Sequence, residues 1–441
     1  MSGGHLMTAA ESVAAVCAGE ITSEELVRDC IEHISGIEDT VGAWAHFDPE
    51  YSLQQAREAD RFRQTGHVVG PLHGVPVGVK DIFNTRDMPT EYGCSLHAGH
   101  QPDHDAPVIE YLRAAGAIIM GKTVTTEMAV YSPGKTRNPH DPNRTPGGSS
   151  SGSAAAVAAG MVPVAVGTQT NGSVIRPASY CGVYGFKPSF GLISRTGVLR
   201  QSQPLDQIGV FARTLEDTAL IAEAMMVFEA KDPDMQPRMH PALSQVLKTE
   251  PPVPPKLAFI RTAVWDQADD DVHSGFEELV EHFGDRIVEV QLPPEFDQVI
   301  DIHRTIMESD LALNFDREYR HGKDTLSDVL RQMIERGQKN TAVEYHQALA
   351  AVPGLRRKLS YILSEYDAIV TPATTGEAPV GLESTGSPVF CTLWTLCGLP
   401  AITVPAMQGS NGMPLGVQMV ADRGEDARLL RTARWFTETI D

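Results

Sequence analysis

Cysteine is sparse in this chain. Six occur in 441 residues, Cys17, Cys30, Cys94, Cys181, Cys391 and Cys397, and no two of them form a C-x-x-C pair. In a chain this long that argues against a disulfide framework, and Cys181 reads as a buried structural thiol rather than a nucleophile. Long apolar runs are also missing. None reaches the roughly 18 to 20 residues that span a bilayer, and the first twelve residues lack a charged-then-apolar secretory pattern. A soluble, cytoplasmic protein without a membrane partner is expected. Basic residues fall short of acidic ones, 36 against 57, leaving a formal charge of −21. Such a surface repels nucleic acid and anionic membrane, so no nucleic-acid partner is expected for the isolated chain.

What is present is ordinary for a globular protein: 42% hydrophobic and 21% charged residues. Residues 8–38 read as two helices, the second opened by Ser23-Glu24-Glu25 with a capping side chain and acidic first-turn residues. Strand-like runs lie at 75–79, 117–120, 162–167, 257–260, 368–370, 401–404 and 416–420. Helical patterns lie between many of them, for example at 106–115, 215–226 and 272–283. This alternation predicts an α/β fold with a mixed, largely parallel central sheet flanked by helices. Residues 228–256 are rich in proline and charge and read as a surface connection. The chemistry is expected in residues 70–200, with 257–441 completing the sheet and the substrate cleft.

The most unusual segment is Gly147-Gly148-Ser149-Ser150-Ser151-Gly152-Ser153, followed by alanine-rich sequence to Gly160. As a flexible linker it would not lead at once into a helix-forming run and a strand. As a phosphate loop it lacks the lysine, since Ser153-Ala154 stand where Lys-Ser/Thr belongs. As a G-x-S-x-G elbow, with Ser150 the nucleophile of an α/β-hydrolase-like esterase, it needs a preceding strand. Residues 138–146 contain three prolines instead, which disfavours a central strand.

Geometry suggests another arrangement. A helix over 151–159 would be roughly 14 Å long, and a strand over 162–167 roughly 20 Å. If the strand runs back along the helix, the loop Thr168-Gln169-Thr170-Asn171-Gly172-Ser173 returns near the helix start, and Ser149 and Ser173 can meet. At this point the chain resembles the amidase signature hydrolases. The shared text runs from Gly147 to Ser153, from Gly167 to Ala178 and from Cys181 to Pro188. It extends to Gly74-Val75-Pro76-Val77-Gly78-Val79-Lys80-Asp81, to Gly121-Lys122-Thr123 and to residues 412–418. Gly-Thr-Gln-Thr followed by Ser-Val-Ile-Arg-Pro-Ala is most similar to malonamidase-type members. Two departures are Asn171, where glycine is usual, and Arg176 three rather than two residues past the serine.

The resemblance implies a single amidase-signature domain over 1–441 and a Lys–Ser–Ser triad. Ser173 carries over as nucleophile, Lys80 as a base kept neutral by burial, and Ser149 as the relay between them, after a cis Gly148–Ser149 bond. Backbone N–H groups of Thr170, Asn171, Gly172 and Ser173 carry over as the oxyanion hole. Thr168 is a supporting hydroxyl. Arg176 either grips a substrate carboxylate or serves a structural salt bridge. Met128 and Ala129 are expected to line the acyl site, and Trp394 the far wall. His97, His100 and His104 read as a solvated loop; no metal and no cofactor are expected. The expected function is a serine amidohydrolase acting on a small-molecule amide, carbamate or ester, either alone or as a homodimer. One alternative is an A-type amidotransferase component of a tRNA-modifying complex; the other is the Ser150 esterase.

Overall fold

The computed structural model describes residues 3–440. Eleven strands form one sheet among these residues. They are β1 (Trp44–Phe47), β2 (Pro76–Lys80), β3 (Ile118–Thr123), β4 (Val164–Gln169), β5 (Tyr184–Lys187) and β6 (Gln207–Ala212). Then follow β7 (Leu257–Phe259), β8 (Ile287–Glu289), β9 (Ala368–Pro372), β10 (Ala401–Gln408) and β11 (Pro414–Val420). The spatial order is β1-β3-β2-β4-β6-β5-β10-β11-β9-β7-β8. Parallel pairs form two blocks, β3-β2-β4 and β9-β7-β8. The pairings between these blocks, and that of β1 with β3, are antiparallel. Helices pack on the sheet and the chain has the α/β fold expected from its alternating pattern. Residues 227–256 carry one short helix, Leu243–Leu247, and otherwise little regular structure.

Local sequence explains the N-terminal helices. Thr8 caps Ala9–Ala18 and Thr22 caps Ser23–Val41, each with a reciprocal bond to a glutamate three residues on. The cap of the second helix is therefore Thr22, one residue before the expected position. Asp60 accepts from the Ser23 and Glu24 N–H groups and satisfies the donors that Thr22 leaves over. Strands β1, β5, β6 and β8 were not evident as apolar runs. They are short or interrupted by glycine, as in Tyr184-Gly185-Phe186-Lys187 and Gln207-Ile208-Gly209-Val210.

The sheet places β2 and β4 side by side and parallel, Val77 against Val164 and Val79 against Val166. Their C-terminal ends, Lys80 and Gln169, therefore lie at one end of the sheet. The helix Ser151–Ala158 runs antiparallel along β4: Ser153 donates to Val166 O at 2.9 Å, and the Ser150 hydroxyl donates to Thr168 O at 3.2 Å. This helix is buried nearly all round, so its small residues are what permit close approach. A Cβ on Gly152 would lie 2.2 Å from Ala43 O and 2.4 Å from Val124 N, both backbone atoms. Gly152→Ala should therefore destabilise the chain by about 1–3 kcal/mol through overpacking, read as a lower denaturant midpoint at unchanged slope; an unaltered midpoint would show that the helix can shift freely.

Candidate active site

Lys80 ends β2 with its side chain inside the protein, 0% exposed. Its Nζ lies 2.8 Å from Ser149 Oγ and 2.9 Å from Thr168 Oγ1. No carboxylate forms an ion pair with it among the described residues. Burial drives its pKa well below the ordinary lysine value, opposed by the negative charge of Asp206. A neutral amine has two N–H donors and one lone pair. It can donate to Thr168 while accepting from the Ser149 hydroxyl, the arrangement a base requires.

Ser149 sits at the mouth of the Ser151–Ala158 helix after a cis Gly148–Ser149 peptide. Ser173 lies in the turn between β4 and the helix Ile175–Cys181, 6% exposed. No hydrogen bond joins Ser149 to Ser173 among the described residues, so the structure forms the Lys80–Ser149 link and leaves Ser173 unattached. The turn itself is tightly held. Gln169 Oε1 accepts from Val174 N at 2.8 Å and Ile175 N at 3.0 Å. Thr170 donates to Asp206 Oδ1 at 2.7 Å, and His303 Nε2 bonds Thr170 O at 2.9 Å. Thr395 donates to Asn171 O at 2.5 Å. Within the described residues the backbone N–H groups of Thr170, Asn171, Gly172 and Ser173 have no acceptor. The carbonyls of residues 170–172 and the side chains of Thr170 and Asn171 are fixed while the turn's donors stay available, which is the requirement for stabilising an oxyanion.

Arg176 is fully buried and has no carboxylate partner among the described residues, so the salt-bridge reading does not apply. It donates to Gly386 O and Gly148 O, each at 2.6 Å, and to Thr385 Oγ1 at 3.1 Å. It thus clamps the carbonyl preceding Ser149 to the 385–386 turn. Its Nε has no partner, and its guanidinium stands 6.0 Å from the Tyr131 ring centroid.

Other expectations are placed differently. Trp394 is 0% exposed in the core and lines neither the cavity at Met128 nor the one at Asn171. On the helix Val389–Leu396, Thr392 and Thr395 turn to the Asn171 loop, and helical phase carries Trp394 away from it. Met128 lines a cavity of about 750 Å³ beside Tyr92, Leu199 and Arg317, whereas Ala129 is buried in the core. Ser150 is spent on β4, since it also accepts from Thr168 N at 3.3 Å. Residues 138–147 form no strand before it, so the esterase elbow is absent. Cys181 donates to Pro146 O at 3.4 Å and burial pushes its thiol pKa up, away from nucleophilic character.

A cavity of about 350 Å³ reaches the turn at Asn171 and is lined by Tyr131, His303, Glu308, Arg336 and Thr392 among others. Tyr131, His303 and Asp206 did not stand out in the sequence. Tyr131 is two residues beyond Ala129, close enough to have been included. His303 and Asp206 come from distant segments with no local pattern. Burial lowers the His303 pKa to about 4, so its ring is neutral; burial pushes Asp206 up to about 6 against three hydrogen bonds that favour its charge.

The amidase family model matches residues 25–430. The chain belongs to the amidase family. It is an enzyme acting on C–N bonds. It is 32% identical to the A-type component of the glutamyl-tRNA(Gln) amidotransferase of Chloroflexus aggregans, over 99% of this chain and 97% of that protein. Among solved structures, the peptide amidase of Stenotrophomonas maltophilia superposes with a TM-score of 0.84 at 26% identity, over 98% of this chain and 96% of that one. A chain from a protein complex tied to the origins of an s-triazine catabolic enzyme superposes at 0.92 with 25% identity, covering 98% of each. The relation to amidotransferase components overturns two expectations, a small-molecule amidohydrolase working alone and the exclusion of nucleic acid from its partners. Net charge describes the surface of an isolated chain, and one member of a complex can leave RNA contact to another.

Protonation of Lys80 removes the lone pair with which a neutral amine can accept from the Ser149 hydroxyl. Because burial lowers the lysine pKa, the neutral form extends well below the ordinary lysine range, and the amide-hydrolysis rate should fall on the acid side as Lys80 gains its proton. A pH–rate profile on protein shown by circular dichroism to stay folded checks this; a rate flat from mildly acidic to alkaline pH would contradict it.

Proposed function

We propose that this chain is the ammonia-releasing component of an amidotransferase, hydrolysing the side-chain carboxamide of glutamine within a tRNA-modifying complex. The observation that carries this reading is whole-length relatedness, at 32% identity, to the A-type component of a glutamyl-tRNA(Gln) amidotransferase. The hydroxyl–amine chain of the site supports it. Ser173 Oγ attacks the carboxamide carbon and passes its proton to Ser149, whose own proton goes to Lys80. The developing oxyanion takes hydrogen bonds from the N–H groups of residues 170–173, worth about 3–4 kcal/mol per donor in comparable sites. Return of the proton through Ser149 to the nitrogen lets the C–N bond break with ammonia as leaving group. Water then cleaves the acyl-serine ester, giving the carboxylic acid and restoring Ser173. Carbamates and activated esters enter the same chemistry as side reactions. The Ser173-Val174-Ile175-Arg176 order resembles that of malonamidase-type members in the same loop.

The charge of −21 suits a member of a cytoplasmic complex that leaves RNA contact to another component. Ammonia release from glutamine, measured on the chain alone and with its co-purified partners, tests the proposal. Ser173→Ala should lower it by at least about 10³-fold with the fold retained. A folded Ser173→Ala protein that still releases ammonia at the normal rate would remove the nucleophile assignment, and failure to use glutamine even with partners would remove the amidotransferase reading.

A further inference from the structure

The 350 Å³ cavity meets the 170–173 turn at Asn171, two residues before the candidate nucleophile, and its lining there is a hydrogen-bonded pair. Asn171 Nδ2 donates to Tyr131 Oη at 3.0 Å, and Asn171 Oδ1 accepts from Thr392 Oγ1 at 2.8 Å. These bonds fix which end of the carboxamide is which. They also leave two hydrogens unspent among the described residues, the second Nδ2 hydrogen of Asn171 and the phenolic hydrogen of Tyr131, whose oxygen already accepts. Burial raises the Tyr131 pKa, so the phenol keeps its proton. His303, on the same wall, is neutral and spends Nε2 on Thr170 O. Beyond this neutral patch the cavity is lined by Arg304, Glu308 and Arg336. Arg336 pairs with Glu308 at 2.5 Å and Arg304 with Asp301 at 2.7 Å. Behind Tyr131 stands Arg176, a buried cation with no carboxylate partner among the described residues and an unpaired Nε.

Two neutral donors backed by an uncompensated guanidinium favour an acceptor with negative charge. Asn171 is two residues from Ser173, so their Cα atoms are at most about 7 Å apart. A group held by Asn171 and a carbonyl held at Ser173 can therefore belong to one small molecule. We propose that Asn171 and Tyr131 are specificity-determining residues that select amides whose acyl half ends in a carboxylate. The inference rests on the amide chemistry proposed above and narrows its substrate class; it does not require that the substrate be glutamine itself.

Two measurements on the full chain test it. The first compares ammonia release from glutaramate with release from pentanamide, which has the same chain length but no charge. The wild type should favour glutaramate in kcat/KM by about tenfold or more. Tyr131→Phe and Asn171→Gly should each reduce that ratio about tenfold, chiefly through KM, because each removes a hydrogen bond to a charged acceptor. The second is calorimetric binding of glutarate, which needs no turnover. Glutarate should bind the wild type, and Tyr131→Phe, which keeps the ring and its packing, should weaken it about tenfold. Equal loss on both amides, or glutarate binding that is absent or indifferent to Tyr131→Phe, would overturn the proposal. A wild type that ignores glutamine even with its co-purified partners but keeps the glutaramate preference and its dependence on Tyr131 would sustain this inference while removing the glutamine reading.

Discussion

The site depends on one costly arrangement, an amine buried at the end of a central strand with two hydroxyl groups as its hydrogen-bond partners. A lysine ion in such a place would need a carboxylate to offset its desolvation. Lys80 has Ser149 and Thr168 instead, and the negative charge that acts on it, Asp206, is bonded to Thr170 rather than to the amine. Lys122 shows the contrast within the same sheet. It is equally buried, yet it pairs with Asp81 at 3.4 Å and shares its three hydrogens among four oxygens of residues 83–90, a structural tie. Two lysines on neighbouring parallel strands thus serve different ends, and the partner set decides which.

The rest of the fold can be read as the support this amine needs. The parallel β2–β4 pair brings Lys80 to the Thr168 hydroxyl, and the small-residue helix beside β4 lets Ser149 approach from the other side. Arg176 holds the carbonyl of Gly148, while Gln169, Asp206, His303 and Thr395 fix the 170–173 turn. The groups proposed to move protons are few, and most of the surrounding hydrogen bonds hold the turn and strand ends that carry them. Preorganisation of this kind spares the reaction the cost of reorienting dipoles as charge develops.

Much of this was legible in the sequence because it is local. The 23 residues between Ser149 and Ser173 hold one helix and one strand, and their lengths return the strand end at Thr168 to the helix start, where the Ser150 hydroxyl donates to Thr168 O. The α/β class followed from alternating apolar runs, while the weak strands β5 and β6, broken by Gly185 and Gly209, left no comparable pattern. Contacts from remote segments were not legible. His303 and Asp206 reach the turn only through the tertiary fold, and Trp394 was misplaced because its neighbours Thr392 and Thr395 occupy the helix face that meets Asn171. The two overturned expectations had different sources: the nucleic-acid partner was excluded on net charge, which describes the surface of one chain alone, and the small-molecule reading rested on the order of residues 173–178, a short segment beside a likeness to amidotransferase components that spans 99% of the chain.

The central claim is that Lys80 and Ser149 return the nucleophile's proton to the leaving nitrogen. Single-turnover acylation rates on an amide and an activated ester sharing one acyl group test it most directly, since the shared acyl group cancels pocket effects and slow deacylation cannot mask the difference. A phenol-like leaving group departs without a proton, whereas an amine does not. Lys80→Ala and Ser149→Ala should each slow the amide more than the ester, by about tenfold or more, within the roughly 10²- to 10⁴-fold that general acid–base catalysis supplies. Equal losses on both substrates, or a greater loss on the ester, would contradict the relay.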